Sequence, residues 1–429
     1  FNKMMVLLVT LADKHQACPY CGFTAPKIKE YVTKEITHSA LTTQKCIIKY
    51  RARRYKCSCC GKTYYEFNPF VFKSQKISIL TVHNILKDLK DFNETFTSVA
   101  RRYHVSPTSV STIFDNHVDI GRNPLPEIIN FDEVYAFKSE KSKYVCVLLD
   151  FKKQIPVDVL PNRKKEYLLN YFQKIPLEER KKVKYACSDM YEVYRDVVHK
   201  VFPESKHLLD YFHLSQDFHK KMNEVRIKVM KGYKDNKASD EYYLLKKFNW
   251  LLFKNPEDED KYGRLFDVER ERKYNSHFKS YMNYYDLRKK ILEINNDLTI
   301  CYSLKLELVD FYSKSTIDNA QVNLEHLIRS FIDTNIEEMI KFSNNLINWK
   351  QEIINSFTIV GTEYKVEADK GQVVVCNKKV NNAIIENRNK IIKCIKNNAN
   401  GYTNWSRFRN RVMYVLDPNA TFSLEPREK

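Results

Sequence analysis

Between Pro124 and Leu209 short apolar runs alternate with stretches of helical spacing, and few folds accept that order. The runs are "EIINFDEVYAF", "KYVCVLLDF" and "QIPVDVL", then a helix over 164–173, then "VKYACSD", a second helix, and "SKHLLDYF". Three strands, a helix, a strand, a helix and a strand predict an α/β domain on a mixed sheet. Two of the runs end on an acid: Asp132 in "IINFDEVY" and Asp189 in "KYACSDMYEVYRDV". In open α/β sheets such strand ends face the functional crevice. An aspartate there can also do no more than cap the helix that follows, so the weight rests on its partners.

Phosphoryl-transfer nucleases need acids from separate elements, converging to hold two Mg²⁺ (or Mn²⁺) ions. A strand aspartate, a second strand-end aspartate and a glutamate on a late helix fit a ribonuclease H-like arrangement. Glu386 in "NNAIIENRNKIIK" is the candidate for the third. The spacing predicts Ile384, Ile391 and Ile395 on one helix face and Glu386, Asn389, Lys390 and Lys393 on another. Lys390 and Lys393 would then flank the acid and grip phosphates. Each acid also has a plain reading: Asp132 as a strand-end cap, Asp189 as a helix cap, Glu386 as a solvated charge paired with Lys390. Glu133, Asp150 and Asp210 compete for a place, and Asp150, which closes "VCVLLD", suits a supporting role. The catalytic reading expects the three carboxylates within roughly 4–8 Å of one another.

Upstream, "ACPYCG" and "YKCSCCGK" are two C-x-x-C knuckles, each followed by glycine. Cys18, Cys21, Cys57 and Cys60 supply the four sulfurs of a tetrahedral structural Zn²⁺ site. The gap of about 35 residues is long for a ribbon, so a β-excursion must fold between the knuckles. Cys59 is a spare thiol able to replace Cys60. Next, "FTSVARRYHVSPTSVSTIFDNHV" reads as a helix-turn-helix, with a break at His104 to Ser106 and Pro107 at the first position of the second helix. Val110 and Ile113 face inward. Thr108, Ser109, Ser111 and Thr112 face outward, where small polar side chains suit the major groove. Thr108, Ser109 and Thr112 are the expected base contacts, and Arg101 and Arg102 the expected phosphate contacts. Two ordinary core helices are the alternative.

Charge supports the nucleic-acid reading. The 429 residues carry 72 Lys+Arg against 53 Asp+Glu, a net +19, as expected of a partner for a polyanion. Eleven cysteines at uneven spacing argue against a secreted disulfide framework. No apolar run is long enough for a bilayer, so a cytoplasmic protein is expected. "MMVLLVTLA" near the start reads as a buried segment.

The remaining text sets domain boundaries: a Cys₄ module over 1–72, the helix-turn-helix over 73–122, and the first part of the catalytic core over 123–215. A helical insertion over 216–370 follows, then the last part of the core over 371–429, with the strand-like "GQVVVCN", the Glu386 helix and a basic-aromatic tail. In that tail Tyr402 and Trp405 could stack on an exposed base or pack in a core.

Together the knuckles, "SVARRYHVSPTSV", "LPEIINFDEVYAF", "VLPNRKKEYLLNYF", "YACSDMYEVYRDVVHKVFPESKHLLDYFHL" and "IIENRNKIIKCIKNNANGYTNWSRFRNRV" resemble the ISL-type insertion-sequence transposases, in order and over almost the whole chain. The resemblance implies a bacterial, nucleoid-associated DDE enzyme with a ribonuclease H-like core interrupted by a helical insertion. Its triad would fall on Asp132, Asp189 and Glu386. It also implies Mg²⁺-dependent cleavage at terminal inverted repeats and strand transfer into target DNA, by a homodimer or larger assembly. The family's Asp-Arg-Phe-His stretch stands here as Asp210-Tyr211-Phe212-His213, and Asn387 replaces the usual glycine after the glutamate. Asp210 and His213 form the Asp-x-x-His pair that in related enzymes sits near the active site; a core histidine is the alternative. The rival function is a transposase-derived, sequence-specific DNA-binding regulator that no longer cuts.

Overall fold

The computed structural model describes residues 4–12, 17–39, 44–72, 75–137, 142–366 and 373–427. The chain divides into two compact units. One comprises Phe1–Pro126, Asp132–Tyr167 and Ile384–Lys429, the other Glu127–Phe131 and Leu168–Ala383.

The N-terminal sheet has β1 (Met5–Val9) parallel to β3 (Cys46–Lys56), with β2 (Lys27–Thr37) antiparallel on the other side of β3 and β4 (Thr63–Tyr65) antiparallel near its end. The β2–β3 hairpin is the excursion that the long cysteine gap required, and its register of Lys27 opposite Lys56 returns the chain to its starting point. A buried ion pair holds β3: Glu66 accepts from Arg53 Nη1 at 2.9 Å, from the Arg53 amide at 2.9 Å and from Tyr50 Oη at 2.6 Å. One expectation fails here. The "MMVLLVTLA" segment forms β1 on a sheet edge, and Leu8 is 81% exposed. Its apolar content reflects strand propensity, because an edge strand in parallel pairing has only one neighbour to cover it.

Three helices follow: α1 (Ile79–Asp88), α2 (Phe96–Arg102) and α3 (Pro107–His117). Thr95 and Ser98 cap α2 reciprocally, and Ser106 caps α3 ahead of Pro107, the signature that starts a helix where backbone N–H groups lack partners. Val82, Ile85, Leu86, Val99, Val110, Ile113 and Phe114 make their common core. His104 takes the left-handed conformation, φ 53°, in the turn between α2 and α3.

Then come β5 (Ile128–Val134), β6 (Val145–Asp150), β7 (Pro156–Leu160), α4 (Lys165–Gln173), α5 (Leu177–Arg180), β8 (Tyr185–Ser188), α6 (Glu192–Val201) and β9 (Lys206–Leu209). The strands lie in the order β7-β6-β5-β8-β9. Strands β6 and β7 are antiparallel, whereas β5 pairs with β8, and β8 with β9, in parallel. This is the mixed α/β sheet that the alternation predicted. Strand β6 is buried at every residue, which explains why its sequence is continuously apolar rather than alternating.

In the second unit α7 (Tyr211–Lys231) runs unbroken across the boundary expected at 216. It is followed by α8 (Asp240–Lys247), two small hairpins, β10–β11 (Glu259–Asp260, Gly263–Arg264) and β12–β13 (Lys273–Asn275, Ser280–Met282), then α9 (Tyr284–Glu293), α10 (Asn296–Lys314), α11 (Ala320–Ile332), α12 (Glu337–Asn348) and α13 (Lys350–Asn355). One apolar core, including Phe218, Leu252, Leu308, Phe331 and Phe342, unites these helices. A hairpin, β14 (Ile359–Val366) and β15 (Val373–Lys379), ends the unit. The "GQVVVCN" piece is thus half of a hairpin, with Gly371 and Gln372 outside the described residues.

Helices α14 (Ala383–Asn398) and α15 (Trp405–Leu416) belong to the first unit. Ile385, Ile392 and Ile395 of α14 and Phe408, Val412, Met413 and Leu416 of α15 pack on Val134, Val145, Val147 and Val159. Tyr402 and Trp405 are packing residues: Tyr402 lies against Phe96 and Phe408, and Trp405 against Phe137. The tail's arginines act as internal braces. Arg407 forks onto Asp115, Arg409 reaches Asp158, and the buried Arg411 donates to the Asp91 and Glu94 carbonyls.

Candidate catalytic, metal and DNA-binding sites

In the first unit Asp132 is 8% exposed near the tip of β5. The two-residue period of a strand puts it on the same side as Val134, which packs in the core that α14 closes. Asp132 Oδ1 accepts from the Glu133 amide at 2.7 Å, and Oδ2 accepts from Asn389 Nδ2 at 2.8 Å. Asn389 is therefore on the buried stripe of α14 with Ile385, Ile392 and Ile395, not on the solvated face that polarity suggested. Glu386 stands one turn before it, half-buried, and Lys390 and Lys393 are exposed. Lys390 Nζ donates to Asn387 at 3.3 Å. The competing acids are engaged in other ways. Glu133 pairs with Arg163, and Asp150 Oδ1 accepts from the amides of Lys152 and Lys153, closing the turn after β6.

In the second unit β5 and β8 run in parallel to the pair Asn130 and Cys187. Strand β8 ends at Ser188, and Asp189 is the next residue. Asp189 is not the cap of α6, which starts at Glu192 with Tyr191 as its N-cap. Strand β9 continues the level: Ser188 is opposite Leu209, and the Asp210 amide donates to Ser188 O at 3.0 Å. Asp210 Oδ2 meets His213 Nδ1 at 3.0 Å. Its other oxygen accepts from the Asn382 amide at 3.4 Å.

Asn130 and Asn382 escaped the sequence reading. Asn130 Nδ2 donates to Asn381 O at 2.8 Å and to Asn382 Oδ1 at 2.7 Å, and Asn382 Nδ2 reaches Phe131 O at 3.4 Å. Both amides are fully buried. They fasten the returning chain to β5 just before α14 begins. The available signal was an asparagine inside an otherwise apolar strand, a group that must find partners when buried.

The four cysteines converge. Sγ atoms of Cys18, Cys21, Cys57 and Cys60 lie within 4.8 Å of one another, with Cys18–Cys60 at 3.7 Å and Cys21–Cys57 at 3.6 Å. A tetrahedron with Zn–S bonds near 2.3 Å requires sulfurs about 3.8 Å apart, so the set fits zinc. Gly22 (φ 74°) and Gly61 (φ 70°) close the two knuckles in a conformation that suits glycine. Backbone N–H groups of Cys60 and Cys59 help to pull the Cys57 thiol down to about 7, favouring the thiolate that a metal binds. Cys59 is exposed and outside the cluster.

On α3, Thr108 and Thr112 are exposed and Ser109 half-buried; together with Lys76 and Asn116 they line a surface cavity. Ser109 Oγ is shared with the capping Ser106 Oγ at 2.8 Å. Arg101 is exposed and lines a second cavity beside the N-terminal end of α2 and the Asn400–Asn404 loop. Arg102 is held by Asp88 and Glu94, whose carboxylates raise its pKa further.

Residues 129–368 match the model of a transposase family, the ISL3-type DDE transposases. The chain belongs to that family. It is also similar to the transposase for insertion sequence element IS1001 of Bordetella parapertussis, at 19% identity over 409 residues, 95% of this chain and 90% of that protein. Among the described residues of this transposase no helix is long and apolar enough to cross a membrane.

Proposed function

We propose that this transposase cuts DNA at the ends of an insertion sequence and joins the freed 3′ hydroxyls to target DNA, with Asp132, Asp189 and Glu386 as its metal-binding acids. The observation that carries the reading is the parallel β5–β8 pairing, which ends at Asn130 opposite Cys187, together with a sequence that has an aspartate two residues after each, Asp132 within β5 and Asp189 just past the end of β8. The strand order β7-β6-β5-β8-β9, with the first strand central and β6–β7 antiparallel, supports a ribonuclease H-like core. Carboxylate oxygens are the donors that hard divalent cations select. Two Mg²⁺ ions, when bound, activate the attacking oxygen and stabilise the leaving one. The chain's own work is to orient them: Asn389 fixes Asp132, while Asn382 and His213 fix Asp210 as a supporting group. Lys390 and Lys393 on α14 would neutralise the phosphates of the bound end.

Recognition of the terminal repeats falls to the N-terminal modules. Cys18, Cys21, Cys57 and Cys60 hold a structural Zn²⁺ that stiffens the β2–β3 hairpin. Thr108, Ser109 and Thr112 on α3 face the bases, and Arg101 contacts phosphate. Arg102 is reassigned from phosphate contact to bracing. Pairing of two ends requires a homodimer or larger assembly.

The test is cleavage of a labelled end duplex by wild type, Asp132→Asn, Asp189→Asn and Glu386→Gln. Each variant should bind the duplex as wild type does and lose Mg²⁺-dependent cleavage, because an amide is a poor ligand for a hard cation. Binding without cleavage by wild type itself, over a range of Mg²⁺ and Mn²⁺, would instead establish the regulator.

A further inference from the structure

His207, the second residue of β9, is buried, and its two ring nitrogens meet different surroundings. Nε2 lies 2.9 Å from Ser188 Oγ. Ser188 gives its one hydroxyl hydrogen to the Asp189 carbonyl at 2.8 Å, so its oxygen accepts from the ring, and Nε2 carries the proton. Nδ1 is then a bare lone pair, buried and without a hydrogen-bond partner. It faces Glu352 Oε1 across 4.0 Å, a carboxylate of α13 that is 4% exposed. His199 Nε2, on α6, stands 3.9 Å from the same oxygen.

A buried carboxylate facing a buried lone pair is costly unless something positive lies between them. The neighbouring cation is occupied elsewhere. Arg195 donates to the Asn348 carbonyl at 2.9 Å, lies 3.6 Å from Glu192 and covers the Trp349 ring at 4.3 Å.

We propose that His199, His207 and Glu352 bind a transition-metal dication of the Zn²⁺ class, at a site distinct from both the cysteine cluster and the catalytic acids. Two imidazoles and one carboxylate suit Zn²⁺, Co²⁺ or Ni²⁺ and disfavour Mg²⁺, which selects oxygen. Bonds of about 2.1 Å in a tetrahedron call for ligand atoms about 3.4 Å apart. Both contacts to Glu352 must close by about 0.5–0.6 Å on that geometry, the first by a small turn of His199, whose side chain is 56% exposed, and the second by a shift of the Glu352 side chain toward His207. The His207–Ser188 bond is the outer contact that fixes the tautomer of a metal-bound histidine. Through Ser188 it reaches the carbonyl of Asp189, so the metal would steady the strand end that carries this acid. Its role is positioning, and it stands whether or not the cleavage reading holds.

The full chain is titrated with Co²⁺, and bound metal is counted after gel filtration for wild type, His199→Ala and Glu352→Gln. Wild type should hold one more equivalent than either variant, and His199→Ala should weaken that equivalent by at least about 10-fold, the lower end of what even outer-shell losses cause. The difference spectrum should lack thiolate-to-cobalt charge transfer, which separates it from the cysteine site. His199 is exposed, so its alanine variant keeps the fold if Glu352→Gln does not. Equal stoichiometry and affinity in wild type and His199→Ala overturns the proposal.

Discussion

Asn389, one turn beyond Glu386 on α14, donates from Nδ2 to Asp132 Oδ2 at 2.8 Å. The contact ties an acid on the central strand to the helix that carries Glu386, from a residue 257 positions later in the chain. Asn389→Leu should keep the fold and DNA binding but reduce cleavage by about 10–100-fold and raise the Mg²⁺ concentration needed, as outer-shell losses do. Asn389→Asp should be worse, since a second carboxylate there opposes ionisation of Asp132. Cleavage rates measured across a Mg²⁺ series check both. An unchanged Mg²⁺ dependence in Asn389→Leu removes Asp132 from the metal site.

The cysteine cluster separates two thiols that adjoin each other in sequence. Cys57→Ser should lose the zinc held by the N-terminal module and loosen the β2–β3 hairpin, because structural zinc contributes folding energy directly. Cys59→Ser should retain the metal in full, since Cys59 lies outside the cluster. Zinc content of the two purified variants decides the point, and loss in both would mean that Cys59 is a ligand.

How much of this was legible in sequence depends on what kind of interaction held each residue. Strands β5 to β9 were readable because apolar runs bounded by helical spacing leave few other solutions. The convergence of the two cysteine knuckles was readable because a C-x-x-C turn fixes the local spacing of its sulfurs. Asn389 was misplaced because hydropathy treats an amide as a surface group, whereas this one is buried by its bond to Asp132. Strand β1 was misplaced for the opposite reason: its apolar residues serve an exposed edge. The partners of Arg102, Asp88 and Glu94, were not legible, because pairings of that kind follow from turn geometry rather than composition. The His199–His207–Glu352 group brings Glu352 to two histidines 145 or more positions earlier in the chain, and that left no sequence signal.

The buried Arg53–Glu66 pair predicts an acid-sensitive N-terminal sheet. Burial pushes the Glu66 carboxyl up, but the bonds from Tyr50 and Arg53 outweigh it and hold the group below its usual value. A depressed folded-state pKa contributes stability that is complete above the unfolded value of about 4.3 and lost as pH falls through the folded one. Glu66→Gln leaves the Arg53 charge buried without its counterion, which should cost about 3–5 kcal/mol near neutral pH. Urea unfolding of wild type and variant from pH 7 to pH 3 should show the gap closing with acid. A gap that does not depend on pH would mean that the hydrogen bonds, and not the charge, hold the strand.

The two arginines of "SVARRYH" should behave as opposites. Arg101 is exposed, so Arg101→Ala should weaken binding to every DNA sequence alike and lower the salt dependence by about one phosphate's worth, a slope change near 0.9. Arg102 is already bound to Asp88 and Glu94 across the turn between α1 and α2. Its side chain is 36% exposed, so solvent screens the pair, and Arg102→Ala should cost only about 1 kcal/mol of stability. DNA affinity at saturating fold should then stay within about two-fold of wild type, and its salt slope unchanged, because no phosphate contact is lost. Changing Thr108 or Thr112 to Val should act differently from both: affinity for the terminal repeat falls while affinity for unrelated duplex holds, since base contacts carry the specificity. Binding isotherms for two duplexes at several salt concentrations, with melting curves beside them, resolve the three behaviours. A reduced salt slope in Arg102→Ala would return that residue to the DNA and leave Asp88 and Glu94 as its resting partners.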